Sequence, residues 1–281
     1  MVVDPFTLVA SCQMPAILCP RCHKLVSSDA ASCPHCGQPK PGLWGFTSAI
    51  RKIGLRLDFP HLIVVVCAVV YILSLLSDPA AIFQTRGMLG ILAPSFEASL
   101  MFGMTGGGLV YQYGHWWTLI TAIYLHGGLL HIFFNMMWVR QLGPLVEELF
   151  GPFRLFTIFT VAGVTGFLFS TTMGHSATLG ASGSIFGLLA AAIVYGRRAG
   201  SSLFTRQFLQ WAAILFVFGF VFPGIDNWAH LGGFVGGYGM ASLFVRFPSR
   251  EGLGTYLGAA TCLLLTVVAF VLQLFYVLGI A

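Results

Sequence analysis

The chain has 281 residues, of which 57% are apolar and only 8% charged, with 14 Lys+Arg against 9 Asp+Glu for a net charge of +5. An ordinary soluble domain carries about 25% charged residues, so a water-soluble enzyme is excluded, and 26 Phe in an apolar chain exclude disorder. What remains is an all-α polytopic membrane protein, with 34 Gly to let helices pack closely. The basic excess belongs to membrane topology, because no stripe of Lys and Arg interleaved with aromatics occurs; nucleic acid is not an expected partner.

Residues 1–18 read as an N-terminal tail. Val9-Ala10-Ser11-Cys12 has the look of a lipoprotein cleavage site, but Asp4 stands where a basic residue belongs and the apolar run is too short. Met1 and Met14 are both candidates for the start. Residues 19–40 form a polar module in which Cys19-Pro-Arg-Cys22 and Cys33-Pro-His-Cys36 make two CxxC pairs. Four thiolates on two such knuckles supply the tetrahedral set that zinc requires, and Pro stiffens each turn. Two disulfides in an exported segment are the alternative. His23 and His35 read as exposed bystanders, while Cys67 and Cys262 lie alone in apolar runs as small hydrophobes. With so few apolar residues the module should need its metal to fold.

Residues 41–60 are a linker carrying Arg51, Lys52 and Arg56. Apolar stretches near 61–77, 128–149, 153–173, 182–199, 208–223, 227–246 and 257–280 then approach the roughly 20 residues that cross a bilayer. Arg154, Arg197, Arg198, Arg206, Arg246 and Arg250 fall in alternate connections, and only Arg86 breaks the pattern. That alternation predicts seven spans, with the N-terminus inside and the C-terminus outside, as in a bacterial inner membrane. The first outside connection, 78–127, is long and apolar, which predicts a functional loop lying partly in the interface with Trp116 and Trp117 at headgroup depth.

Ionisable and polar groups at membrane depth are expensive, so the few present carry the functional reading. His126, His131 and Asn135 fall at the second span, Gly180-Ala181-Ser182-Gly183 opens the fourth, and Asn227 and His230 open the sixth. Ser182 sits at a helix N-terminus, whose free N–H groups suit a developing oxyanion. Phe186, one turn on, shares its face and can stack on an imidazole. His230, Gly233 and Gly237 share one face, where glycine lets a neighbouring helix approach. His131 and Asn135 are i, i+4; they read either as oxyanion donors or as an interhelical hydrogen-bonded pair. A hydroxyl, an imidazole and a donor pair on three helices make the set that acyl transfer requires.

These motifs resemble the rhomboid family of intramembrane serine proteases: His126-x4-His131-x3-Asn135, Gly180-x-Ser182-Gly183, and Ala229-His230-x-x-Gly233-x-x-x-Gly237, with Glu147-x3-Gly151 after the second span. The resemblance covers about residues 61–246. It implies a six-helix core plus one C-terminal helix (residues 247–281), with the zinc ribbon in front. Ser182 would be nucleophile and His230 base and then acid, with the oxyanion held by His131, Asn135 and the Ser182 N–H; no cofactor would enter catalysis. Substrates would be single-pass membrane proteins cut near the membrane edge, and the ribbon would dock a cytoplasmic protein partner. Two departures from the family are plain: Trp117 is followed by Thr118 where the family often has Arg, and Phe186 stands where it often has Tyr. Transport would call for mid-span acidic groups or paired broken helices, and zinc catalysis for an open metal position; neither pattern is present. A catalytically dead rhomboid-like binder is the remaining rival, against which the paired Ser182 and His230 argue.

Overall fold

The computed structural model describes residues 16–19, 22, 24–27, 30–39, 41, 58–83, 90–222, 224–247 and 252–280. Both start candidates, the stretch ending at Cys12, the residues Arg21, His23 and Lys40, the linker bases Arg51, Lys52 and Arg56, and Arg86 and Arg250 lie outside the described residues. Two compact units result, the N-terminal module and the helical body.

In the module, β1 (Ala16–Leu18) pairs antiparallel with β2 (Leu25–Ser27), with Ile17 opposite Val26. Both knuckles close alike: the Cys19 N–H donates to Lys24 O at 2.9 Å, and the Cys33 N–H donates to Gln38 O at 2.8 Å. Cys19, Val26 and Cys33 are the buried centre. That is far too little apolar area to offset chain entropy in a unit this small.

Among the described residues seven long helices make the body: α1 (Phe59–Ser77), α2 (Leu129–Phe150), α3 (Pro152–Thr172), α4 (Ser182–Arg198), α5 (Ser202–Val221), α6 (Asn227–Arg246) and α7 (Leu253–Val277). Local chemistry sets their starts. The Asp58 carboxylate caps α1 by accepting from the His61 N–H at 2.9 Å, and Pro60 stands in its first turn. Gly151, at φ +90°, ends α2 and begins α3 in a reversal that L side chains rarely allow. The fifth helix starts at Ser202, six residues before the sequence-predicted 208. The Ser201 hydroxyl caps it, and Arg206 and Gln207 ride on its exposed face. Polar residues at a helix entrance hid that first turn from an apolar-run reading.

The long connection is folded rather than looped over its described residues 90–127. It holds short helices at Phe96–Met101 and Thr118–Thr121, a wide turn at Gly108–Gln112 and a tight one at Ala122–Tyr124. The Thr118–Tyr124 piece meets α2 at a bend of 91°. Its tryptophans part: Trp116 is exposed, whereas Trp117 turns inward onto α7.

By length and composition alone α1, α3, α5 and α7 can cross a membrane, and α2 joins them when taken with the piece before it. Of the other two, α4 is interior, whereas α6 leaves Trp228, Leu231, Val235 and Leu243 exposed. α4 buries nearly every side chain, so it needs no lipid-facing surface, and α6 spends its length on glycines that seat it between α3 and α4. α7 touches the body along one stripe, Thr255, Ala259, Cys262, Thr266, Ala269 and Gln273, and turns Leu and Val residues outward.

Candidate active site

The turn into α4 brings the first reactive group into place. Gly180 sits at φ +125°, and a Cβ there would lie 2.7 Å from Cε1 and Nε2 of His131, so backbone and ring both require glycine. The Gly180 N–H donates to Ala122 O at 2.9 Å, tying the turn to the long connection. Ser182 is the first residue of α4 and half-buried, in a turn whose backbone N–H groups have no intrahelical acceptor.

His230 reaches it from α6. Its Nε2 lies 2.9 Å from Ser182 Oγ, and its ring is buried. Nδ1 lies 3.1 Å from Asn227 Oδ1. An amide oxygen only accepts, so Nδ1 carries the proton and Nε2 keeps the lone pair that a serine hydroxyl donates to. Phe186 stacks on the imidazole with centroids 4.3 Å apart and planes 17° apart, as its spacing from Ser182 predicts. Among the described residues no carboxylate is hydrogen-bonded to the ring; Asn227 stands in that place. Gly219 on α5 leaves room for it, since a Cβ there would lie 2.0 Å from Asn227 Oδ1.

Glycine decides how near the two helices come. A Cβ on Gly233 would lie 2.1 Å from Gly183 O, and one on Gly237 would lie 2.3 Å from Gly187 Cα. The alternate pair faces α3: a Cβ on Gly232 would lie 2.6 Å from Phe169 Cβ, and one on Gly236 1.9 Å from Thr165 Oγ1. The doubled glycines thus make two faces about 100° apart on one helix, each against a different neighbour. The sequence reading found only the first.

The donor set is assembled in part. His131 accepts the Gly127 N–H on Nδ1 at 3.2 Å, which leaves the proton on Nε2, the nitrogen beside Gly180. Asn135 donates to His131 O at 2.8 Å, within its own helix, so the alternative of an interhelical pair is not what forms. Asn135 Oδ1 and both ring nitrogens of His126 are buried without a hydrogen-bond partner among the described residues. The His126 ring lies 5.2 Å from that of His131 in an edge-to-face pair and supports it from behind.

Asp226, next to Asn227 and close to His230 in the sequence, is a group to which the sequence alone assigned no role. One oxygen caps α6 by accepting the Ala229 N–H at 3.0 Å. The other accepts from Thr178 Oγ1 at 2.8 Å and from Ser170 Oγ. One carboxylate therefore joins the end of α3, the approach to Ser182 and the start of the His230 helix. An Asp directly before an apolar helix is an N-cap signal, and that was its visible trace. Arg154, expected in an inner connection, is buried at the far end of the same helix, donating to Phe244 O at 3.2 Å and Phe247 O at 2.8 Å.

In the N-terminal module the sulfurs of Cys19, Cys22, Cys33 and Cys36 all lie within 4.8 Å of one another. Cys19 and Cys36 are 3.6 Å apart, and Cys22 and Cys33 are 3.7 Å apart. Two thiolates on a tetrahedral ion with bonds of about 2.3 Å lie about 3.8 Å apart, so the four residues fit a closed metal site. A disulfide needs about 2.05 Å, so the alternative of two disulfides is not what forms. His35 is exposed beside the site, as expected.

Against known proteins, residues 113–247 match the Rhomboid domain family. The chain is 33% identical over 178 residues to rhomboid protease GluP of Bacillus subtilis (strain 168), covering 62% of this chain and 34% of that protein. It is 30% identical over 191 residues to RHOMBOID-like protein 5 of Arabidopsis thaliana, covering 61% and 60%. It is 30% identical over 148 residues to rhomboid-type serine protease 2 of Emericella nidulans, covering 50% and 29%. Over residues 113–247 the chain is therefore similar to the rhomboid family, and with its apolar helices it is an integral, multi-pass membrane protein. It spans between 29% and 60% of the length of these three relatives.

Proposed function

We propose that the protein is an intramembrane serine endopeptidase that cuts single-pass membrane proteins near the outer membrane edge. The observation that carries this reading is the 2.9 Å approach of Ser182 Oγ to an imidazole nitrogen whose other face is held by Asn227. His230 Nε2 takes the hydroxyl proton as Oγ attacks the scissile carbonyl. The resulting oxyanion lies at the start of α4, within reach of the Ser182 N–H and of the proton on His131 Nε2. Asn135 has a second amide hydrogen to offer once its side chain turns from His131 O. His230 then passes its proton to the leaving amine, and collapse gives an acyl-enzyme. A water molecule, deprotonated by the same nitrogen, releases the acyl group as a carboxylic acid and restores Ser182. A substrate helix must unwind to present its carbonyl, because in a helix that oxygen accepts the N–H four residues on.

Sidedness follows from the ends of α4 and α6. Ser182 and His230 lie near their starts, whereas Arg197, Arg198 and Arg246 lie in their last turns. Basic residues favour the inner side, so the reactive pair faces outward, the N-terminus lies in the cytoplasm and the C-terminus outside. The layout read for the chain is a tail at 1–18, a ribbon at 19–40, a linker at 41–60, a protease core at 61–246 and the added helix at 247–281. We infer zinc at the four cysteines; bound there it holds the module folded, outside catalysis, as a docking unit for a cytoplasmic protein.

The test is cleavage of a panel of single-pass segments by wild type and Ser182→Ala, with the cut bond mapped, beside labelling by a fluorophosphonate. Labelling and cleavage that vanish in Ser182→Ala support the proposal. Equal labelling of both proteins, or none of either, removes it.

A further inference from the structure

Gln273 lies near the end of α7, beyond the last residue matched by the rhomboid domain. It is 4% exposed, on a helix whose outward residues are Leu and Val. An amide in such a helix costs free energy unless its hydrogen bonds are made. All three made here run to the long connection. Its Oε1 accepts from Trp117 Nε1–H at 2.8 Å, and its Nε2 donates to Leu100 O at 2.9 Å and Met101 O at 3.0 Å. One turn on, Tyr276 meets the His115 ring edge-on at 4.4 Å, and His115 stacks on Trp117 at 4.7 Å.

The gripped segment leads directly to the nucleophile. Thr118 Oγ1, one residue after Trp117, is hydrogen-bonded to Thr105 Oγ1 at 3.0 Å. Thr105 and Thr178 exchange both backbone bonds, at 3.2 and 2.8 Å. From Thr178 the chain passes to Gly180, itself bonded to Ala122 of the same connection, and then to Ser182. The connection lacks the Arg after Trp117 that would tether it by charge, and a neutral amide from another helix occupies Trp117 instead.

We propose that Gln273 is a positioning residue for the serine chemistry. Through one amide the added helix holds the long connection, and the connection holds the turn that presents Ser182. This rests on the Ser182–His230 reading given above. A Gln that served only to seat α7 would leave the nucleophile's reactivity untouched, and that difference decides the matter.

The full-length protein in lipid is compared with Gln273→Met, which keeps length and removes donors and acceptor, and with Trp117→Phe, which removes the indole N–H without altering α7. Gln273→Met should react with a fluorophosphonate about tenfold more slowly, roughly what one neutral hydrogen bond supplies. Its kcat should fall in proportion, with KM held to within about twofold. Trp117→Phe should act in the same direction, and the double variant should be no slower than the slower single one, as expected of residues in one chain of contacts. Amide hydrogens of residues 175–181 should exchange faster in both single variants. Wild-type labelling rates with unchanged exchange at 175–181 overturn the proposal. If wild type itself is never labelled, the protease reading falls, and the exchange arm still decides whether Gln273 holds the turn.

Discussion

Replacing Gly233 by Ala sets two effects of opposite sign against each other. In an exposed helix the change stabilises by about 0.5–1 kcal/mol, through propensity and loss of unfolded-chain freedom. At residue 233 the new Cβ would stand 2.1 Å from Gly183 O, where ordinary contact begins at 3.4 Å, so α4 and α6 must part by about 1.3 Å along that line. Gly183 adjoins Ser182, and His230 lies one turn from Gly233 on α6. A pair now 2.9 Å apart would pass beyond hydrogen-bond reach. A misplacement of about 1 Å costs on the order of 10²-fold in rate, or about 2.7 kcal/mol of barrier. Gly239 on the same helix is the control, because a Cβ there meets nothing within 4 Å. The assay is the rate of fluorophosphonate labelling in lipid, with helix content followed by circular dichroism. Gly239→Ala should label at the wild-type rate and Gly233→Ala about 10²-fold more slowly at unchanged helix content. Wild-type labelling of Gly233→Ala would refute the claim that the glycine face sets the Ser182–His230 distance.

Asn227→Ala frees the proton-bearing nitrogen of His230; kcat for a transmembrane reporter should fall at least about tenfold with KM little changed, and a fall in KM alone would count against the ring-orienting role. Asp226→Ala removes the α6 cap and leaves Ser170 and Thr178 without their acceptor, so the thermal or detergent unfolding free energy should drop by about 2 kcal/mol; an unchanged transition would contradict the three-way tie. Cys22→Ser should abolish metal binding by the full-length chain, measured by elemental analysis, while fluorophosphonate labelling stays at the wild-type rate. Lost labelling in that variant would tie the ribbon to the chemistry.

Much of the site was visible in the sequence because an apolar chain leaves few places for polar residues. Ser182, His230 and the four clustered cysteines could be named one by one, and Phe186 followed from helical spacing alone. Asn227 was visible but unassigned: its role depends on a side chain turning back toward residue 230, which spacing permits and does not require. Asp226 had no role to show in the sequence, because its partners Ser170 and Thr178 stand 56 and 48 residues away. Gly232 and Gly236 were hidden by their own neighbours, since a doubled glycine shows one helical face to the eye and two in the folded protein.

What the sequence determined alone is what local periodicity and composition carry: a membrane chain, seven long helices, a two-knuckle cysteine module, and the residue types of a serine–histidine site at the starts of two helices. Only the tertiary structure decided which helices lie inside, that the long connection is folded, that Asn227 and not an acid faces the imidazole, and that Gln273 of the last helix closes on Trp117. The reason is physical. Helix propensity and bilayer length act within a few turns, whereas the hydrogen bonds that position a reactive pair join segments far apart in the chain, and their partners exist only once the helices have packed.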